Sequence, residues 1–162
     1  MNFSIYIASL SHYNNGELVG KWLDIRDLNP QEIQESILDY MEELGVEEWA
    51  IHDHENLDLF YSEYGMNWNQ VCDFIKISKA YSYKLAKAYF LSFDEFSFEH
   101  LESVYMGKYD SESDFAQTYL EDTGQLSSIP ENLRNYFDYD SFARDLFLTD
   151  FSYDNGFVFI NI

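Results

Sequence analysis

Apolar and polar positions change their period several times along this chain, and each change predicts an element. Ser4-Ile5-Tyr6-Ile7-Ala8-Ser9-Leu10 is rich in β-formers, Asn14-Asn15-Gly16 is a turn signal, and Leu18 to Ile25 can return as a partner strand, which together predict an antiparallel hairpin. Glu48 to Asp53 offers a third strand. Between them Asn29 is placed to cap a helix, Pro30 to take its first position and Glu32 to close a capping box. Ile33, Ile37, Tyr40, Met41 and Leu44 recur at helical spacing and predict its buried stripe, while Glu32, Glu35, Asp39, Glu42 and Glu43 fall opposite.

Further along, Phe74, Ile77, Tyr81, Leu85 and Ala88 share one helical face, with Lys76, Lys79, Lys84 and Lys87 broadly opposite, which predicts one lysine-bearing helix. Shorter helices are predicted from Phe98 to Tyr105, from Ser113 to Leu120 with Gly124 as a left-handed stop, from Pro130 through Tyr136, and from Tyr139 to Leu146 behind an Asp138 cap. Phe147 to Tyr153, the turn Asp154-Asn155-Gly156, and Phe157 to Ile162 predict a closing hairpin. Neither an internal repeat nor a low-complexity linker interrupts this order.

Charge changes the picture most. Thirty carboxylates face nine Lys and Arg, a formal −21 in 162 residues that are also 46% hydrophobic and 19% aromatic. That apolar content predicts a folded chain rather than a disordered polyanion, with a strong negative field outside its core. Residues 1–73 carry 15 acids and 2 bases, residues 94–162 carry 15 acids and 3 bases, and residues 74–93 carry four lysines and no acid. Nucleic acid and anionic lipid would be repelled, so the partner is expected to be a basic protein surface. No basic segment followed by an apolar run opens the chain and no ~18-residue apolar stretch occurs, so neither a signal peptide nor a membrane span is expected. The lone cysteine, Cys72, excludes an internal disulfide, suits a reducing cytoplasm, and reads as a small core residue.

Candidate chemistry is sparse. His52-Asp53-His54-Glu55 could place two imidazoles on one strand face, which leaves open a small metal-dependent hydrolase using His52, His54 and acidic ligands. No Gly-rich phosphate loop, nucleophile elbow, CxxC or HExxH is present, so no catalytic residue, metal ligand or cofactor is assigned. The acidic stripes read either as solvated helix faces or as an imitation of a phosphate backbone, and surface adaptation to high salt is a third reading.

Several segments together resemble the ArdA-type antirestriction family. They are Ile5-Tyr6-Ile7-Ala8-Ser9-Leu10 with Tyr13-Asn14-Asn15-Gly16 and Trp22, then Glu47-Glu48-Trp49-Ala50-Ile51-His52-Asp53. Near the end, Ile129-Pro130-Glu131-Asn132-Leu133, Tyr136-Phe137-Asp138-Tyr139 and Phe142-Ala143-Arg144-Asp145-Leu146 are similar to that family's antirestriction motif. The resemblance implies a DNA mimic, of the kind carried by phages and mobile elements, that inhibits type I restriction–modification enzymes by occupying their DNA-binding cleft. It implies no catalysis and no cofactor. It also implies an elongated α+β fold with an α/β N-terminal module (1–58), a helical middle (59–103) and an α/β C-terminal module (104–162). A homodimer is implied, with the motif (Asn132, Leu133, Arg134, Tyr136, Phe137, Asp138, Tyr139, Phe142, Ala143, Arg144, Asp145 and Leu146) near its interface. Arg134 and Arg144, rare cations within it, are expected to pair with nearby acids. The expected mimic surface comprises Glu32, Glu35, Asp39, Glu42, Glu43, Glu47, Glu48, Asp94, Glu95, Glu99, Glu102, Asp110, Glu112, Asp114, Glu121 and Asp122. The lysines between residues 76 and 87 interrupt that track.

Overall fold

The computed structural model describes residues 1–94 and 96–162; Glu95 lies outside the described residues. The fold is α+β, with two small antiparallel sheets and eight α-helices among the described residues. The chain divides into two compact units, Met1–Ala80 and Tyr81–Ile162.

In the first unit β1 (Ser4–Ser9) is the middle strand of a sheet ordered β2-β1-β3, with β2 spanning Gly20–Asp24 and β3 Trp49–Glu55. Its central position explains its composition: Ile5, Ile7 and Ala8 lose all solvent contact. Each buried isoleucine contributes about 1.5–3 kcal/mol, an upper figure for a chain whose unfolded state is already partly collapsed. Helix α2 (Pro30–Leu44) buries Ile33, Ile37 and Met41, as its periodicity predicts, and packs on α3 (Trp68–Ala80). Phe74 of α3 meets the rings of Phe3 and Phe60 edge-on, at centroid distances of 6.2 and 5.2 Å. The Asn29 capping box forms as expected: Asn29 Oδ1 accepts from Gln31 and Glu32 N–H, and Glu32 accepts from the Asn29 N–H. Such a cap is worth about 1 kcal/mol.

The first two strands pair as predicted, but no tight turn joins them. A short helix, α1 (Leu10–Asn14), is inserted before Gly16, because buried Ser9 caps it and binds His12 Nδ1 at 2.9 Å. At Gly20 an added Cβ would lie 2.5 Å from the Ile7 carbonyl oxygen and 2.8 Å from the Tyr6 ring, so the β1–β2 approach requires glycine. Cys72 is half-buried rather than in the core; its thiol donates to the Leu28 carbonyl at 3.5 Å, and burial pushes its pKa up.

The predicted lysine helix is two helices. α3 stops at Ala80, and Ser82, with extended backbone, caps α4 (Tyr83–Ser92) by accepting the Leu85 N–H at 3.1 Å. A side chain that offers the backbone a better partner outweighs the continuous apolar period. Lys76 and Lys79 therefore belong to the first unit, and Lys84 and Lys87 to the second.

The second unit is built on β6 (Phe157–Ile160), between β4 (Tyr105–Lys108) and β5 (Phe151–Asp154). Val158 joins Phe115 and Phe151 in one cluster, which Tyr119, Leu146 and Phe147 pack against; it ties β5 and β6 to α6 (Glu112–Asp122) and α8 (Tyr139–Thr149). Phe159 meets Tyr89 and Phe93 at 6.1 and 5.8 Å, which ties β6 to α4. α5 (Phe98–Val104) leads directly into β4, a strand the sequence reading did not foresee. Asn155 and Gly156 both take positive φ, 51° and 91°, as a two-residue hairpin turn demands. The strand before that turn starts at Phe151, not Phe147, because α8 continues to Thr149. Between α6 and α8 lie a 3-10 turn (Gln125–Ser128) and the four-residue α7 (Glu131–Arg134).

The contact at Gly20 sets a test. Gly20→Ala is expected to lower stability by about 1–3 kcal/mol, since a backbone carbonyl cannot yield as a side chain could. Urea denaturation reads this as a lower midpoint at constant slope, and an unchanged midpoint contradicts the close approach.

Candidate interaction surface

Beyond Glu32, whose place in the first turn and the capping box is favourable, helix α2 places its carboxylates against helix energetics. Glu32, Glu35, Asp39, Glu42 and Glu43 are all exposed. Like charges recur at steps of three and four, Glu35 to Asp39 to Glu43 among them, which repel on a helix by a few tenths of a kcal/mol per pair. Glu42 and Glu43 also sit in the last turn, where no base is present and the partial negative charge of the carbonyls disfavours acid. The chain then turns through left-handed Gly45 and continues with exposed Glu47 and Glu48 into β3. Among the described residues none of these seven carboxylates has a Lys or Arg nitrogen within 4.0 Å. Glu35 accepts from neutral Gln31 Nε2 at 2.7 Å.

The second unit repeats part of this arrangement. Asp94, Glu99, Glu102, Asp110, Glu112, Asp114, Glu121 and Asp122 are all exposed. Glu112 and Asp114 occupy the first turn of α6 behind the Ser111 cap, where acid stabilises the helix, so their position has an ordinary structural reason. Glu121 and Asp122 end the same helix with no base there, which has no such reason.

The C-terminal segment 132–146 combines a pinned backbone with exposed apolar groups. Asp138 caps α8, and hydrogen bonds from the Ser141 hydroxyl and N–H hold its carboxyl below the usual carboxylate range. Phe137 packs on Tyr139 and Phe142, at 5.0 and 5.9 Å, and Ala143 is buried, with Leu146 partly so. Asn132, Arg144 and Asp145 are exposed, as are Leu133 (50%) and Tyr136 (86%). Among the described residues of the chain neither arginine forms a direct ion pair with an acid. Arg134 Nε donates to the Ile129 carbonyl at 3.1 Å. Arg144 has no carboxylate within 4.0 Å among the described residues, though its charge helps to lower the Asp138 carboxyl; Asp138 caps α8 and Asp140 accepts from Ser113.

His52 and His54 are not brought together on a metal. β3 bulges where Tyr6 pairs Asp53 but Ile7 pairs Ile51, so His52 has no cross-strand partner and simple alternation is broken. His52 packs on Tyr13 at 4.8 Å and His54 on Tyr61 at 4.9 Å. Among the described residues no group of three His, Cys, Asp or Glu is placed to hold a metal ion. Nor is any helix among them long and apolar enough to cross a membrane.

Most cations are occupied. Arg26 pairs Asp24 at 2.5 Å, Lys79 pairs Asp27 at 2.6 Å, and Lys21 lies over the Tyr40 ring at 4.2 Å. The Arg26 guanidinium holds the Asp24 carboxyl below its ordinary range. Lys84, Lys87 and Lys108 instead line one concavity. Sequence reasoning missed that grouping, because it depends on β4.

No curated protein matches the chain. The family described as Antirestriction protein (ArdA) matches residues 5–159, nearly the whole length and every element from β1 to β6. The chain therefore belongs to the ArdA antirestriction protein family.

Proposed function

We propose that this antirestriction protein is a DNA mimic that occupies the DNA-binding cleft of a type I restriction–modification enzyme, acting as a homodimer in the cytoplasm. The carrying observation is the acidic face of α2, whose carboxylates are exposed, are unpaired with Lys or Arg among the described residues and, beyond the favourably placed Glu32, run against the helix's own electrostatic preference. Violations of local rules on a surface are the mark of a selected property other than stability. Duplex DNA carries about one charge per 1.7 Å, so 21 charges correspond to roughly 36 Å of duplex and a dimer's to about 70 Å. Carboxylates at steps of three and four along a helix advance roughly 4.5–6 Å, against about 3.4 Å per phosphate of one strand. The likeness is therefore one of charge density and not of atomic register. Only the backbone is imitated, so the recognition sequence of the target enzyme would not matter.

The exposed Leu133 and Tyr136 support a dimer through the C-terminal segment, since large side chains left in water are what an interface covers. The metal-dependent hydrolase reading gains no support from the separate aromatic packing of His52 and His54.

In a cleavage assay with a type I enzyme, added protein is expected to suppress cutting, and non-cleavable competitor duplex to relieve the suppression. Inhibition should weaken steeply as salt rises from about 50 to 200 mM. Inhibition unaffected by competitor duplex overturns the mimicry. Single Glu→Gln or Asp→Asn changes on α2 are expected to raise the half-inhibitory concentration less than about fivefold each, because an exposed ion pair contributes about 0–1 kcal/mol, whereas neutralising all five should abolish inhibition. One amide change that abolishes it in a folded protein contradicts distributed recognition. Tyr136→Ser is expected to move the mass in light scattering from twice 19.2 kDa towards 19.2 kDa. A dimer unaffected by that change places the interface elsewhere.

A further inference from the structure

The lysines that interrupt the acidic track have a use of their own. Lys84 and Lys87 of α4 and Lys108 of β4 line a concavity of about 440 Å³ in the second unit, with Tyr83 and Phe157 among its walls. All three lysines are exposed, and none has a carboxylate within 4.0 Å among the described residues. In a chain with 30 acids and nine bases, unpaired cations ought to be rare. Arg26 and Lys79 take acids, and Arg134 takes a carbonyl. These three form no ion pair among the described residues and are gathered at one place, with Asp154 on the same lining.

The gathering has a structural cause. Lys84 and Lys87 are three apart on α4, so they share a face. Lys108 ends β4 opposite Phe157 in the β4–β6 pairing, and its ammonium lies 6.0 Å from that ring's centre. Phe157 is only 7% exposed and lies beneath that ammonium, so it lines the concavity without offering a free ring face, and Tyr83 is the aromatic wall. The register shifts between Tyr105 and Gly107, whose φ is 130°, leaving Met106 as the extra residue, and this sets Lys108 opposite Phe157.

We propose that this notch binds a mononucleotide, with its phosphates on Lys84, Lys87 and Lys108 and its base against Tyr83. A volume of about 440 Å³ lies within the usual range for small-ligand sites, roughly 300–1,000 Å³. Three point charges on flexible stems suit a di- or triphosphate, and an aromatic wall suits a base. Asp154, also on the lining, can accept from an exocyclic amine. A free nucleotide fits better than a nucleic-acid strand. Screening confines the attraction of the lysines to about 8 Å, and a strand running further would meet a unit with 15 acids and five bases.

Isothermal titration of the full-length protein, using ADP, adenosine, inorganic pyrophosphate and a twelve-nucleotide oligothymidylate as probes, tests this directly. ADP is expected to bind at one site per chain, and adenosine and pyrophosphate each at least about tenfold more weakly, because each lacks half of the contacts. Lys84→Gln with Lys87→Gln should weaken ADP binding about tenfold, while Lys76→Gln with Lys79→Gln leaves it unchanged. Thermal melting and circular dichroism establish that both variants keep the fold, and the separate change Lys108→Gln should weaken ADP binding about threefold. The proposal is overturned if ADP does not bind at millimolar concentration, if the lysine changes leave binding intact, if pyrophosphate binds as well as ADP, or if the oligonucleotide binds more tightly than ADP. None of these readouts involves a restriction enzyme, so they stand or fall apart from the mimicry.

Discussion

Repulsion among the surface carboxylates is the constraint under which the rest of this molecule is built. A formal charge of −21 on 162 residues opposes compaction at every point of the surface, and few cations remain to offset it. The compensation lies inside. One middle strand in each unit, β1 and β6, is buried almost from end to end, and aromatic rings from the adjoining helices close over them. Phe74 gathers Phe3 and Phe60 in the first unit. Phe115 gathers Tyr109, Tyr119, Phe147 and Phe151 in the second. Rings bury large apolar area and gain further from edge-on contacts, so a high aromatic fraction is what a small, highly charged fold would be expected to use.

Separation of the two tasks follows from the geometry. Ile33, Ile37 and Met41 anchor α2 from one side while Glu32, Glu35, Asp39, Glu42 and Glu43 stand on the other, with a capping box fixing where the helix begins. The acidic side can be altered with little effect on the core, and the core fixes the acidic side in space. A disordered chain of equal charge would have to order itself on binding and would lose affinity for it, whereas carboxylates on a rigid helix are already in place.

The sequence disclosed the elements whose signals are local. Asn29-Pro30 with Glu32, the Asp138 cap and the Asn155-Gly156 turn were all legible, because each is decided by two to four neighbouring residues. What it concealed was decided by competition or by distant partners. Ser9 and Ser82 take backbone N–H groups, which inserts α1 and divides the lysine helix, although the apolar period runs straight through the second site. β4 exists because β6 lies beside it, and Tyr105-Met106-Gly107-Lys108 carries no strong strand signal by itself. The acidic positions were legible as exposed because an unpaired carboxylate is almost never buried. Among the described residues Arg134 and Arg144 form no direct ion pair within the chain: the nearby Asp138 and Asp140 accept from Ser141 and Ser113, and Arg144 acts on Asp138 through its charge alone.

That last outcome bears on how charge is distributed over the whole surface. An acid in this protein is more readily satisfied by a hydroxyl, an amide or a backbone N–H than by a cation, as Glu32, Glu35, Asp138 and Asp140 show. Such partners orient a carboxylate without neutralising it. A salt bridge orients and neutralises together, and Asp24 with Arg26 is a case of that kind. Holding anions in fixed directions at full charge is what a basic cleft evolved for a phosphate backbone would recognise, and neutral hydrogen-bond donors achieve it where lysines and arginines cannot. Lys84, Lys87 and Lys108, beside Asp154 on one concavity, likewise form no ion pair among the described residues, so both signs of charge stand unneutralised on the surface.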